Sequence, residues 1–205
     1  VDTPRPSPRT NRTRRVPQVK ALGKLEGVLP VAQAMARFGA AGAKVACAEL
    51  LALLAPRAKW GASVCLQGAP ELVRMLQNRE LAVVVCAADT IAAMAAEGKD
   101  NCEVLREAGA LIVLSGLLDD TNARVRARAA RAVGALAAER RCIALMLRIG
   151  VVRALLALLR GGPPAVTRHA AAAMEALLGA PDVQASAPRA PLAQHQSSAP
   201  LAPPP

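Results

Sequence analysis

The 205-residue chain is predicted to be an all-α solenoid of about four stacked three-helix units, and three observations predict it. Gly27, Gly68, Gly109 and Gly150 recur every 41 residues, and self-similarity at a fixed period of about 20–50 residues marks a stacked repeat array. Each of these glycines is followed by apolar residues at helical spacing, as in Leu111, Leu114, Leu117 and Leu118. Between the apolar runs stand breakers rich in Gly, Pro, Asn and Asp, such as Asp119-Asp120-Thr121-Asn122 and Gly161-Gly162-Pro163-Pro164.

Residues 1–18 come first, with four prolines, several arginines and no apolar periodicity, so they cannot bury enough surface to fold alone. Residues 1–24 hold seven of the 26 basic residues against one acid, which makes this segment a basic arm that calls for an acidic neighbouring surface. An Arg-rich, acid-poor leader also fits the remnant of an organelle-targeting segment, but it has no amphipathic pattern.

The repeat body is expected over residues 19–180. Its first unit is the most degraded, with Phe38-Gly39-Ala40-Ala41-Gly42 as its breaker and Val45, Leu50, Leu51 and Leu54 on its long helix. In the second, the turn at Asn78-Arg79-Glu80 is one residue short, and Gly98 and its neighbours restore the register. The third is the clearest. Asn101 to Glu107 form a short helix that must stop at Gly109, because a Gly just past a helix end takes the left-handed conformation other residues resist. A middle helix follows, then an N-cap in Asp119–Asn122 and a long helix with Val125, Ala129, Ala132, Val133 and Leu136 on one face. The fourth unit matches it column by column, with Val152, Leu155, Leu158 and Leu159, then Val166, Ala170, Ala173, Met174 and Leu177. Its last helix offers Ala171, Met174 and Leu178 to whatever stacks next, where a solubilising cap would be polar. Residues 181–205, rich in Ala, Pro, Ser and Gln, read as an extended tail.

Composition sets further bounds. Aromatic content is 1 %, so the interior must close through Ala, Val and Leu. No run approaches the roughly 18 apolar residues of a membrane span, so none is expected. Cys47, Cys65, Cys86, Cys102 and Cys142 form no CxxC pair and have no partnering His, which argues against zinc and a disulfide framework and for small buried residues in a reducing, intracellular compartment. Gly39-Ala-Ala-Gly-Ala-Lys44 superficially resembles a phosphate loop, but Gly and Lys are not adjacent, no Ser or Thr follows and no strand precedes. His169 is the one histidine of the body and has no triad partner at a telling spacing. No cofactor, metal or catalytic constellation is expected, and the chain reads as non-enzymatic. Arg124, Arg128 and Arg131 stand at i, i+4 and i+7 and form one basic stripe on the third long helix.

The residues Asn101-Cys-Glu-Val-Leu-Arg-Glu-Ala-Gly109-Ala-Leu, the leucine-rich helix, the acidic turn and Ala129-Ala-Arg-Ala-Val-Gly-Ala-Leu136 together resemble an armadillo repeat. The resemblance covers about residues 19–180 and implies a right-handed superhelix whose long helices line a concave, protein-binding groove. In peptide-binding armadillo proteins one column often carries a groove Trp and another a backbone-clamping Asn. Here the first reads Glu49, Asp89, Arg131 and Ala172, and the second Leu53, Ala93, Ala135 and Ala176. An extended peptide needs side-chain amides to satisfy its backbone, so import-receptor function is not expected. Glu49, Asp89, Arg124, Arg128, Arg131, Ala135 and Arg168 are the candidate groove residues, facing a helix or loop that is basic towards the first units and acidic near the third. In style, Ala- and Arg-rich, the chain is most similar to the small armadillo proteins of ciliary axonemes. The leading expectation is therefore a scaffold subunit held by other proteins of a multi-subunit assembly. The net charge of +11 makes nucleic acid the second partner class, as in an organellar ribosome, although the lack of aromatics removes base-stacking platforms. An adaptor domain of a ubiquitin-ligase or trafficking complex is the third.

Overall fold

The computed structural model describes residues 28–56 and 61–179. Gly27, the arm at 1–18 and the tail at 181–205 lie outside the described residues. Within them stand ten helices and no strand: α1 Val28–Phe38, α2 Ala41–Leu54, α3 Gly61–Leu76, α4 Leu81–Ala96, α5 Lys99–Glu107, α6 Ala110–Leu117, α7 Ala123–Leu136, α8 Arg140–Arg148, α9 Val151–Gly161 and α10 Pro164–Leu178. Each unit buries its apolar face only against its neighbours, and the long helices α2, α4, α7 and α10 stack side by side in that order. No helix among the described residues is long and apolar enough to cross a membrane by itself.

The third and fourth units follow the sequence template. Gly109 and Gly150 have φ of 85° and 79° and are the positive-φ residues among those described. Each ends a short helix and lets the next begin at the following residue, and α8 and α9 meet at a bend of 77°. Asn122 caps α7 by accepting the Arg124 amide at 2.9 Å. Replacing Gly109 by Val is expected to cost about 1 kcal/mol or more, because a β-branched residue is forced into the left-handed region. Gly109→Asn, which tolerates that region, should melt near the parent. Equal melting temperatures for the two variants, measured by circular dichroism, would show that the turn conformation is not what the position requires.

The second unit departs from the template. Gly68 makes no turn: α3 runs unbroken through it, so the expected short and middle helices are one. Contacts with α1 brace this continuous helix. Gln33 Nε2 donates to the Gln67 carbonyl at 3.3 Å, and Arg37 Nε donates to Glu71 Oε1 at 2.7 Å. Glu71 is 1 % exposed, with Arg74 Nη1 3.3 Å from its other oxygen. The glycine is required for closeness instead, since a Cβ on Gly68 would lie 3.2 Å from both methyls of Leu51. Pro70 fits because its fixed φ is helical, and it removes one donor from the ladder.

Small residues close the interior as the composition requires. Ala48, Ala87, Ala129, Ala132, Ala170 and Ala173 of the long helices are buried. The Thr90 hydroxyl ties α4 to α2 by donating to the Ala48 carbonyl at 3.1 Å. All five cysteines are free; four are buried and Cys86 is half-buried. Burial pushes the Cys142 thiol up to about 12, with the nearby Cys102 adding to it, so it stays protonated and packs as an apolar group. On the short-helix side, Glu103 accepts from Arg106 at 2.8 Å and from Arg141 of α8 at 2.6 Å, and these bonds hold its carboxyl down to about 2. On α10, Ala171 and Leu178 are exposed and Met174 is half-buried.

Candidate interaction groove on the long-helix ladder

Stacking α2, α4, α7 and α10 turns sequence columns into spatial rows. The apolar row is Leu53, Ala93, Ala135 and Ala176, and all four are half-buried. None carries an amide, so this strip can be packed against but cannot clamp an extended backbone.

The charged row behaves differently from a line of free contacts. Asp89 Oδ1 receives Arg131 Nη1 at 2.6 Å and Arg128 Nη1 at 3.3 Å, so α4 and α7 are bridged by their own side chains. The groups stay partly open, at 33 % exposure for the Asp89 side chain and 42 % for Arg131, and such pairs stabilise weakly. Glu49 is exposed on α2, close enough to Cys86 to add to the upward push that burial gives that thiol.

Beyond Arg128 the row opens into a cleft of about 300 Å³ between the first turns of α7 and α10. Arg124 and Arg128 line it from α7, and Arg168 and His169 from α10, over a floor that includes Ala127 and Val166. Arg124 and Arg168 are exposed and have no carboxylate partner among the described residues. His169 is half-buried, and its pKa lies below the usual 6.5. Burial is the main cause, and Arg128, Arg168 and Arg131 add to it while Asp89 opposes them.

Four of the seven sequence candidates therefore meet at one end of the ladder: Arg124, Arg128 and Arg168 in the cleft, with Arg131 beside them. Asp89 is joined to that cluster as an internal counter-charge. Ala135 lies in the apolar strip, and Glu49 stands apart on α2. Sequence reasoning missed two participants. His169 looked isolated because its neighbours come from another unit. Gly134, inside α7, has the signal of a glycine in a helix interior with no turn to explain it. A Cβ there would lie 3.1 Å from the Ala173 Cα, so α7 and α10 touch backbone to backbone further along the two helices from the cleft. Among the described residues no three His, Cys, Asp or Glu side chains stand together as metal ligands would.

Solved structures share this architecture. A designed armadillo repeat protein is 27 % identical with a TM-score of 0.68, over 78 % of this chain and 68 % of its own. An engineered protein of the Northeast Structural Genomics Consortium superposes at a TM-score of 0.72 with 24 % identity, over 80 % and 67 %. The fold is an armadillo-like repeat solenoid. A designed armadillo repeat protein in complex with the peptide (KR)4 is 22 % identical at a TM-score of 0.68, over 80 % of this chain and 72 % of its own. No family model and no curated protein matches the sequence. These three neighbours are engineered or designed proteins and carry nothing on an axonemal, organellar or ligase setting.

Proposed function

We propose that the chain is a protein-binding scaffold that holds a segment of a partner along the ladder of α2, α4, α7 and α10. One observation carries this reading: the half-buried apolar strip of Leu53, Ala93, Ala135 and Ala176 flanked by the charged row from Asp89 to Arg168. The likeness to a designed armadillo repeat protein that takes a peptide supports the choice of surface. The mode differs from such a complex. With no amide ladder, a bound segment must satisfy its own backbone hydrogen bonds, and a helix does so internally. An amphipathic helix laid in an apolar groove needs only side-chain contacts. Membership of a larger assembly, axonemal or other, is the finer part of this reading and rests on the sequence style alone.

The test is to select helical peptides from a display library on the full chain and to map them with a photo-crosslinking residue at Ala135 or, separately, at Ile112 on α6, outside the ladder. Cross-links at Ala135 and helical circular dichroism in the bound state are expected. A (Lys-Arg)4 peptide is expected not to bind, because the cleft end of the groove carries uncompensated arginines. Cross-links confined to Ile112, or micromolar binding of (Lys-Arg)4 in calorimetry, would overturn the reading.

A further inference from the structure

Charge is distributed along the solenoid unevenly. Residues 110–179 hold ten Lys or Arg against four Asp or Glu, whereas residues 28–56 and 61–109 hold six against eight. Much of this positive charge lies on the outer helices, where Arg141 is taken up by Glu103. On the ladder it gathers at one place, around the cleft between α7 and α10.

There the local balance does not close. Asp89 offers one negative charge and holds Arg131 and Arg128. Arg124 and Arg168 face the same cleft without a carboxylate partner among the described residues. Guanidinium groups present planar donor forks that match carboxylates, and two arginines on adjacent helices cannot neutralise each other. The cleft is therefore positive, partly walled by Ala127 and Val166, and lies on the same two helices, α7 and α10, that carry Ala135 and Ala176 of the apolar strip.

We infer that this cleft seats acidic side chains of the partner, so that the bound helix carries Asp or Glu one turn apart where it crosses α7 and α10. The inference rests on the scaffold reading and gives it a direction, since the acidic end of the helix lies over the fourth unit. Protein carboxylates fit better than a nucleic-acid backbone. A strand running along the ladder would find no further cation in that row past Arg131, since Asp89 and Glu49 hold the α4 and α2 positions. It would also find no Phe, Tyr or Trp ring on which to stack a base: among the described residues the one such side chain is Phe38, on α1 in the first unit.

His169 supplies a signature that a merely structural arginine cluster would lack. The charged groups facing it are Arg124, Arg128 and Arg131 from α7, Arg168 on α10 and Asp89 from α4. Its burial and the arginines favour the neutral ring in the free protein, and Asp89 opposes them. Carboxylates in the cleft favour the charged ring, so binding takes up a proton and tightens as pH falls from about 7.5 to 5.5, while Asp and Glu stay ionised.

The probe is a fluorescein-labelled alanine-based helical peptide carrying Glu pairs at i, i+4, titrated by anisotropy against the full chain at low salt. A Lys-for-Glu version and an RNA oligonucleotide of equal charge run in parallel. The Glu peptide is expected to bind and to weaken with added salt. Arg124→Glu with Arg168→Glu should lower its affinity at least about tenfold while circular dichroism stays unchanged. His169→Gln should keep binding at pH 7.5 and remove the tightening at pH 5.5. If RNA binds more tightly than the Glu peptide and loses as much on charge reversal, the partner class is wrong. No binding of the Glu peptide to the folded chain, or binding indifferent to the double reversal, also overturns the inference. If library peptides without acidic residues still cross-link at Ala135, the scaffold reading stands without it.

Discussion

Leu114→Ala is expected to destabilise the chain by about 2–5 kcal/mol, the range for emptying a well-packed leucine site. Leu114 lies on α6 with 0 % exposure, in the contiguous cluster that includes Leu105, Leu111, Leu118, Val133 and Leu136. Its neighbours belong to helices already fixed on both sides by adjoining units, so they collapse into the space only partly. Ile112, two residues earlier on the same helix, is 62 % exposed, and Ile112→Ala should change stability by no more than about 0.5 kcal/mol. Urea unfolding of the two variants under identical conditions checks both. Similar losses at the two positions would mean that α6 is rotated from the orientation described.

That pair also shows how far the sequence could be read. The helix ALIVLSGL is apolar on nearly every side, so spacing named Leu111, Leu114, Leu117 and Leu118 together, although Leu117 is only half-buried, and could not say that Ile112 faces out. Gly109 and Gly150 were legible because a left-handed residue leaves almost no alternative to Gly. Gly68 occupies the same column for another reason: the residues that brace the continuous α3, Gln33 and Arg37, lie 34 positions before their partners and reach it only through packing. The basic stripe was local, set by helical spacing, and it is present. Its neutralisation was not legible as such. Asp89 and Arg131 were aligned in one column as two separate contacts for a ligand. Adjacent helices lie about 8–10 Å apart, within reach of an arginine, so residues in one column can pair with each other before they meet anything else.

Gly134→Val is expected to act on the groove and on stability together. A glycine inside a helix costs about 0.5–1 kcal/mol relative to alanine, and α7 has no kink or turn to account for it. The account lies in α10. A Cβ at position 134 would sit 3.1 Å from the Ala173 Cα and 3.3 Å from its Cβ, so the obstacle is backbone, which cannot swing aside as a side chain would. With alanine, α10 has to give by a few tenths of an ångström, and the gain in helix propensity offsets part of the strain. Valine adds two methyl groups at the same point, and overpacking of this kind costs about 1–3 kcal/mol. The available relief is for α10 to move away from α7, which loosens Val166, Ala170, Ala173 and Leu177 and parts Arg168 from Arg124. Stability in a solenoid is carried between nearest neighbours, and α10 is held mainly by α7 and α9. The fourth unit should therefore open first. Hydrogen exchange by mass spectrometry should show α10 losing protection while α3 to α6 keep theirs, and Glu-peptide binding should weaken with it. Uniform protection, with an unchanged melting temperature, would mean that α7 and α10 do not approach each other at Gly134.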